Sequence, residues 1–310
     1  MKNHKKKRKG IKVGVIFNPY SGSGRSFEVL KWLKERLRID KLKYYVEKLE
    51  KKINIKENLL RLKEKGVHKI IVLGGDGTLF HIVNNLPFDF KIPFCLFPSG
   101  SGNDFLKTIF GKKKDLNFFY EVFKEGIVME SFTGEIITKE GKLLFTNAAG
   151  IGFDAKIAER ALRIKNLRGL LRYLLSLLIE LKGNISYEME IKDDNNYLMG
   201  KYILLGLGLG KYLGGGFHLF PDASPFKEEI SVCIIKNMKK TEVLKKLHHV
   251  IKGTHLSLPE CLYFKTKDLK LSLKEDSLIQ LDGEVSRLKR GDIEAKISQK
   301  KFSFLYKSPI

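Results

Sequence analysis

Four carboxylates in this chain stand in three glycine-containing motifs. Asp76 lies in Gly74-Gly75-Asp76-Gly77-Thr78, Asp104 ends Pro98-Ser99-Gly100-Ser101-Gly102-Asn103-Asp104, and Asp282 and Glu284 flank Gly283. A further segment, Asn18-Pro19-Tyr20-Ser21-Gly22-Ser23-Gly24, has the glycines and hydroxyls without the acid. Glycines let a backbone turn at positive φ and approach an anion closely, and small hydroxyls add donors. A carboxylate in such a loop repels phosphate unless a cation stands between, so Asp76 reads as facing Mg2+ on a nucleotide. Thr78 offers both a hydroxyl and an N–H. Asn103 and Asp104 beside Ser101 are suited to a metal-bound water or to phosphate oxygens. An extended spacing of two would put Asp282 and Glu284 on one side of a strand as a shared proton acceptor, provided that tip folds toward the phosphate loops. Each motif also has a plainer reading: a tight turn with Asp76 capping the next helix, an N-capping loop at 98–104, and an acidic hairpin turn at 282–283. Neither the Gly-x-x-x-x-Gly-Lys-Ser/Thr loop nor a Gly-x-Gly-x-x-Gly fingerprint after the first strand occurs.

The elements that must position these loops follow from the pattern around them. The glycine segments come after short apolar runs at 13–17, 70–73 and 93–97, and each precedes a helical pattern, at 24–37, 78–86 and 101–109. Strand–helix alternation of this spacing, with a short strand at 43–46 and a helix at 55–65 ending on Gly66, argues for a parallel sheet with right-handed crossovers. Three such loops would then meet in a crevice at the carboxyl edge of that sheet. After about residue 129 the texture becomes short β-rich segments separated by turn clusters such as Asp193-Asp194-Asn195-Asn196, a mostly antiparallel second domain. A basic, leucine-rich helical stretch at 154–181 interrupts it. Its leucine-rich part, 167–181, with Arg163, Lys165, Arg168 and Arg172 toward its start, suits either a membrane surface or a core helix covering the second domain's sheet. Gly214-Gly215-Gly216 reads as a turn.

At 310 residues, with 43% hydrophobic and 11% aromatic residues, the chain has the makings of a folded protein of two domains rather than a disordered one. Its net charge of +23 favours an anionic partner; six of those charges lie at Lys2, Lys5, Lys6, Lys7, Arg8 and Lys9, which leaves 23 − 6 = 17 elsewhere. Residues 1–10 read as a flexible basic tail. No apolar run reaches about 18 residues, so no membrane-spanning helix is expected, and the N-terminus lacks the apolar core of a signal sequence. Cys95, Cys233 and Cys261 are widely spaced and read as neither a disulfide framework nor a metal site, which favours a reducing compartment. The histidines show no metal-ligand spacing.

The set Asn18-Pro19-Tyr20-Ser21-Gly22, Gly74–Thr78, Pro98–Asp104 and the late Asp282-Gly283-Glu284, in this order, resembles the diacylglycerol kinase catalytic family, which includes soluble bacterial lipid kinases, sphingosine kinases and ceramide kinases. The match runs from Ile11 past Glu284. Gly-Gly-Asp-Gly-Thr alone is shared with NAD kinases; the first and last motifs favour the lipid-kinase branch. The resemblance implies an α/β nucleotide-binding domain over 11–130 and a β-sandwich lipid-binding domain over 131–310, whose last strand is free to return to the first domain. It implies ATP and Mg2+ as cofactors and catalysis in the cleft between domains. Carried over by position, nucleotide contacts fall on Asn18, Ser21, Gly22, Gly74, Gly75, Asp76, Gly77, Thr78, Ser101 and Asn103, the metal on Asp76 and Asp104, and the proton acceptor on Glu284 with Asp282 assisting. Gly150, Gly152 and Asp154 match a segment that lines the cleft. Three positions depart: His81 stands where relatives have Glu, Lys227 replaces an aspartate of a structural Mg2+ turn after Pro221-Asp222-Ala223, and Thr133-Gly134 lacks the family's aspartate. The implied acceptor is a membrane lipid hydroxyl, diacylglycerol first and a sphingoid base or other lipid alcohol second, in phospholipid biosynthesis. The other readings are an NAD-kinase-like enzyme and a non-catalytic binder of anionic lipid. A cytoplasmic protein held at the inner face of an anionic membrane is expected, with no nucleic acid partner; a homodimer is allowed.

Overall fold

The computed structural model describes residues 10–50, 55–111, 114–164 and 166–308. The basic segment 1–9 lies outside the described residues. The first half of the chain alternates β1 (Lys12–Phe17), α1 (Arg25–Ile39), β2 (Lys43–Lys48), α2 (Ile55–Glu64), β3 (Lys69–Gly74), α3 (Asp76–Asn84), β4 (Phe94–Pro98), α4 (Asp104–Phe110), α5 (Leu116–Glu125) and β5 (Ile127–Ser131). The second half runs β6 (Gly134–Thr138), β7 (Gly141–Phe145), β8 (Ala148–Gly152), α6 (Phe153–Arg163), α7 (Gly169–Glu180), β9 (Tyr187–Lys192), β10 (Tyr197–Gly208), β11 (Ile230–Lys236) and α8 (Lys240–Lys252). It continues through β12 (Cys261–Thr266), β13 (Asp268–Leu273), β14 (Ser277–Leu281), β15 (Glu284–Leu288), β16 (Gly291–Ile297) and β17 (Phe302–Tyr306).

The first sheet has the order β2-β1-β3-β4-β17-β5. Its first four strands are parallel, β17 pairs parallel with β4, and β5 is antiparallel to β17. Ile70, Ile71, Val72 and Leu73 of β3 are all buried, as strands covered by helices on both faces require. Helix α1 lays Val29, Leu33 and Leu37 against this sheet at four-residue spacing. The second sheet is antiparallel, in the order β15-β14-β8-β10-β9-β13-β16-β6-β7, with β11 on β10 and β12 on β11. A parallel α/β domain and a mostly antiparallel β domain therefore stand side by side, each with its own apolar core.

One expectation changes. The helical stretch 154–181 is two helices, α6 and α7, packed on each other. The chain leaves α6 with Ile164 extended and re-enters α7 at Gly169, whose φ of +54° suits a residue without Cβ. Helix α7 has two faces: Leu177 is buried in the second core and Ser176 is buried with it, while Leu171, Leu175 and Leu178 are exposed.

Candidate active site

The loops after β1, β3 and β4 meet at the carboxyl edge of the first sheet, and glycines set how closely. A Cβ on Gly22 would overlap the carbonyl of Ser99, and one on Gly75 would lie 2.8 Å from the Cα of Gly100. The first and second loops are tied by Asn18, whose Nδ2 donates to Thr78 Oγ1 at 2.8 Å while its Oδ1 accepts from Tyr20 N. Asn18, Ser21, Gly22, Gly75, Asp76, Gly77, Thr78 and Ser101 line one cleft of about 510 Å3. Gly74 and Asn103 do not line it. Gly74 packs against the Thr78 side chain. Asn103 sits at φ +56° and uses its amide on Gly100, accepting from Gly100 N and donating to Gly100 O, so it braces the third loop and is withdrawn from nucleotide contact. The N–H of Thr78 is likewise spent on Gly75 O, which leaves its hydroxyl for a ligand.

Asp76 opens α3 but caps a different helix: its Oδ1 accepts from Phe105 N in the first turn of α4 at 3.1 Å. Its other oxygen lies over Gly102, 2.9 Å from where a Cβ would stand. Burial, and then the neighbouring charge of Asp104, push the Asp76 carboxyl up to about 7. An acid held that high beside a second acid fits a divalent cation, which would supply the missing positive charge. Asp104 fits it less well. Its Oδ1 accepts from Lys107 Nζ at 2.9 Å and its Oδ2 from Gly215 N at 2.6 Å, and Lys107 also donates to Gly215 O at 2.7 Å. The expected metal ligand is thus mainly a clasp between α4 and the glycine turn of the second domain.

Asp282 and Glu284 separate in space, against the reading that puts them on one side of a strand. Leu281 pairs with Glu284 across a two-residue hairpin loop in which Asp282 and Gly283 both have positive φ, +51° and +91°. Asp282 turns inward and accepts four hydrogen bonds, from Thr146 N, Thr146 Oγ1, Asn147 N and Ala148 N, between 2.7 and 3.0 Å. A carboxylate so engaged is a buttress, not a proton acceptor. Glu284 turns outward over the second loop, where its Oε1 would be 2.6 Å from a Cβ on Gly77 and lies 3.8 Å from His81 Nε2. The second domain therefore does fold its tip onto the phosphate loops, and His81 faces Glu284 itself.

A second cavity, about 120 Å3 and almost wholly apolar, lies between the second sheet, α7 and α8. Tyr173 and Leu213 line both it and the phosphate cleft. Asp154 belongs to this cavity rather than to the phosphate cleft; burial pushes it up to about 6 while Gln280 Nε2 donates to it at 3.1 Å. Gly150 is the close neighbour that makes room for that carboxylate. Sequence reasoning missed Tyr173 and the Lys107 clasp, since neither stands in a motif. Near Lys227, Asp222 accepts from Tyr263 and pairs with Lys265 at 3.0 Å, and Lys265 and Lys227 both face Glu229 at 2.8 and 3.8 Å. Ammonium groups supply the positive charge around this turn.

A phosphate cleft built from three glycine loops, closed by a β domain that delivers a carboxylate, defines a two-domain kinase. More particularly, the chain belongs to the diacylglycerol kinase catalytic family: residues 12–135 match the diacylglycerol kinase catalytic domain, and residues 147–293 match the YegS C-terminal NAD kinase beta sandwich-like domain. It is 26% identical over 225 residues to a diacylglycerol kinase of Bacillus subtilis (strain 168), covering 72% of this chain and 73% of that one. In fold it resembles a diacylglycerol kinase from Bacillus anthracis (strain Sterne), with a TM-score of 0.70 at 19% identity over 97% and 98% of the two chains. An NAD kinase from Archaeoglobus fulgidus solved with ATP shares the architecture, with a TM-score of 0.52 at 11% identity over 95% and 93%.

Proposed function

We propose that this kinase transfers the γ-phosphate of ATP to the hydroxyl of a membrane lipid, diacylglycerol first and a sphingoid base or other lipid alcohol second. The observation that carries the reading is the apolar-walled cavity that shares Tyr173 and Leu213 with the phosphate cleft. Walls of this apolar character suit hydrocarbon, and a soluble dinucleotide acceptor has no use for them. The names of bacterial relatives, diacylglycerol kinases, point the same way. Asp76 would hold Mg2+, which supplies charge neutralisation on the phosphates when bound.

The glycine loops would take the phosphates on their backbone N–H groups and on the hydroxyls of Ser21, Thr78 and Ser101. Glu284 would accept the proton of the attacking lipid hydroxyl, and His81 would hold that carboxylate over Gly77. Asp282 keeps the hairpin tip rigid, and the Lys107–Asp104–Gly215 clasp keeps the two domains in register. Most of the rate would then come from positioning and electrostatics. The exposed leucines of α7 and the basic surplus support attachment to an anionic membrane at its cytoplasmic face. The test is to incubate the purified chain with γ-labelled ATP, Mg2+ and mixed micelles of diacylglycerol, sphingoid base or neither, with NAD in a parallel sample. Label in an organic-soluble product is expected. Label only in a dinucleotide, or in none, overturns the reading.

A further inference from the structure

The spacing of the cysteines in the sequence conceals a cluster. Strands β11 and β12 pair with Cys233 opposite Tyr263 and Ile235 opposite Cys261, so the two cysteines are diagonal neighbours on one face of the sheet. Their sulfurs are 3.8 Å apart and both thiols are free. His255, in the short turn His255–Ser257 before β12, is fully buried beside them. One ring nitrogen and the two sulfurs all lie within 4.8 Å of one another.

The histidine points to a ligand independently of the thiols. Its Nε2 is bonded to the carbonyl of Leu219 at 3.1 Å, and a carbonyl only accepts, so Nε2 carries the proton. Nδ1 is then a lone-pair donor, buried and with no hydrogen-bond partner among the described residues. An orphaned acceptor in the interior costs free energy unless something binds it. A histidine whose other nitrogen donates to a backbone carbonyl is also the usual arrangement of a metal ligand.

We infer that Cys233, Cys261 and His255 form a binding site for one thiophilic cation, Zn2+, separate from the phosphate cleft. Zinc–sulfur bonds of about 2.3 Å at a tetrahedral angle put two ligand sulfurs about 3.8 Å apart, and the sulfurs here are 3.8 Å apart. Binding replaces two thiol protons, which leave to solvent, and gives a neutral centre of one dication, two thiolates and an imidazole. Charge neutrality suits the surroundings, because Cys233 packs with Leu213, Leu219 and Phe220. Cys261 is only partly buried, so on that side the cation would be open to a water as fourth ligand. The site ties the His255 turn to β11, and His255, Leu258 and Cys261 are part of the wall of the apolar cavity. The cation thus braces that wall. The inference does not depend on which acceptor the kinase uses.

Anaerobic titration of the reduced full chain with Co2+ as a spectroscopic stand-in tests it. A thiolate-to-cobalt charge-transfer band should saturate at one equivalent and vanish on adding one equivalent of Zn2+. Cys261→Ser and His255→Gln should each weaken binding by more than about 100-fold, whereas Cys95→Ser should leave it unchanged. If those variants do not fold, wild-type protein still decides the matter, since Zn2+ should slow alkylation of Cys261 by iodoacetamide. No charge-transfer band at stoichiometric cobalt, an undiminished band in folded Cys261→Ser, or alkylation indifferent to Zn2+ each overturns the proposal.

Discussion

Two carboxylates one residue apart, Asp282 and Glu284, have been given opposite work by a single turn. Asp282 accepts four hydrogen bonds, three of them from backbone N–H groups, and Glu284 accepts none of those. Glu284→Gln should therefore lower turnover by about two orders of magnitude or more, the scale of a lost general base, with its melting temperature almost unchanged. Asp282→Asn places an amide among donors and should cost about 3 kcal/mol of stability, so its melting temperature falls together with its activity. Thermal unfolding and initial rates on both variants separate the roles; a stable, inactive Asp282→Asn would make that residue the base after all. Asp76 and Asp154 give a second residue-scale expectation, because both carboxyls are raised by burial, to about 7 and about 6. Between the ordinary carboxyl pKa near 4 and these values the folded chain binds protons that the unfolded chain does not, so stability falls as pH rises through that window. Mg2+ that engages Asp76 should offset the loss, raising the melting temperature more at pH 8 than at pH 5.5. Asp76→Asn should remove that difference; a Mg2+ effect independent of pH would place the cation elsewhere.

At the scale of elements, what was legible in the sequence is what local chemistry demands. The three phosphate loops are visible because close backbone approach excludes any side chain at Gly22, Gly75 and Gly100. The Asp282-Gly283 turn is visible for the same reason, since both residues sit at positive φ. Long-range partners were not legible. Asp282 reaches Thr146, 136 positions away, and Lys107 reaches Gly215, 108 positions away; no periodicity announces either. The break between α6 and α7 hides inside a stretch that stays helical in composition, and the register of β11 on β12, rather than any spacing, unites Cys233 with Cys261. Helix α8 could be read only as an amphipathic stretch around His248 and His249. In the fold it is a wall of the apolar cavity, through Val243, Leu247 and Val250. Leu247→Trp should fill part of that volume and raise KM for a long-chain lipid by about tenfold, leaving a short-chain, water-soluble lipid alcohol unaffected. Equal losses on both acceptors would mean that the cavity does not hold the hydrocarbon chains.

The whole molecule combines a large positive charge with an apolar surface beside its cleft. Among the described residues no helix is long and apolar enough to cross a membrane. Leu162 lines the phosphate cleft and is 59% exposed, and Leu171 and Leu178 on the neighbouring helix are 64% and 52% exposed. Six of the chain's +23 charges belong to residues 2–9. These two contributions respond differently to salt: each Lys or Arg near an anionic surface is worth about 1 kcal/mol and is screened, whereas apolar insertion is not weakened by salt. Deleting residues 2–9 should thus reduce co-sedimentation with phosphatidylserine-containing vesicles at low salt and change little at high salt. The double variant Leu171→Ser, Leu178→Ser should reduce it at both. Both proteins should retain activity on a short-chain, water-soluble lipid, because no residue facing the phosphates is touched. If the leucine variant sediments like wild type at high salt, the α7 face does not enter the bilayer; if the deletion is without effect at low salt, the tail's charges do not reach its surface.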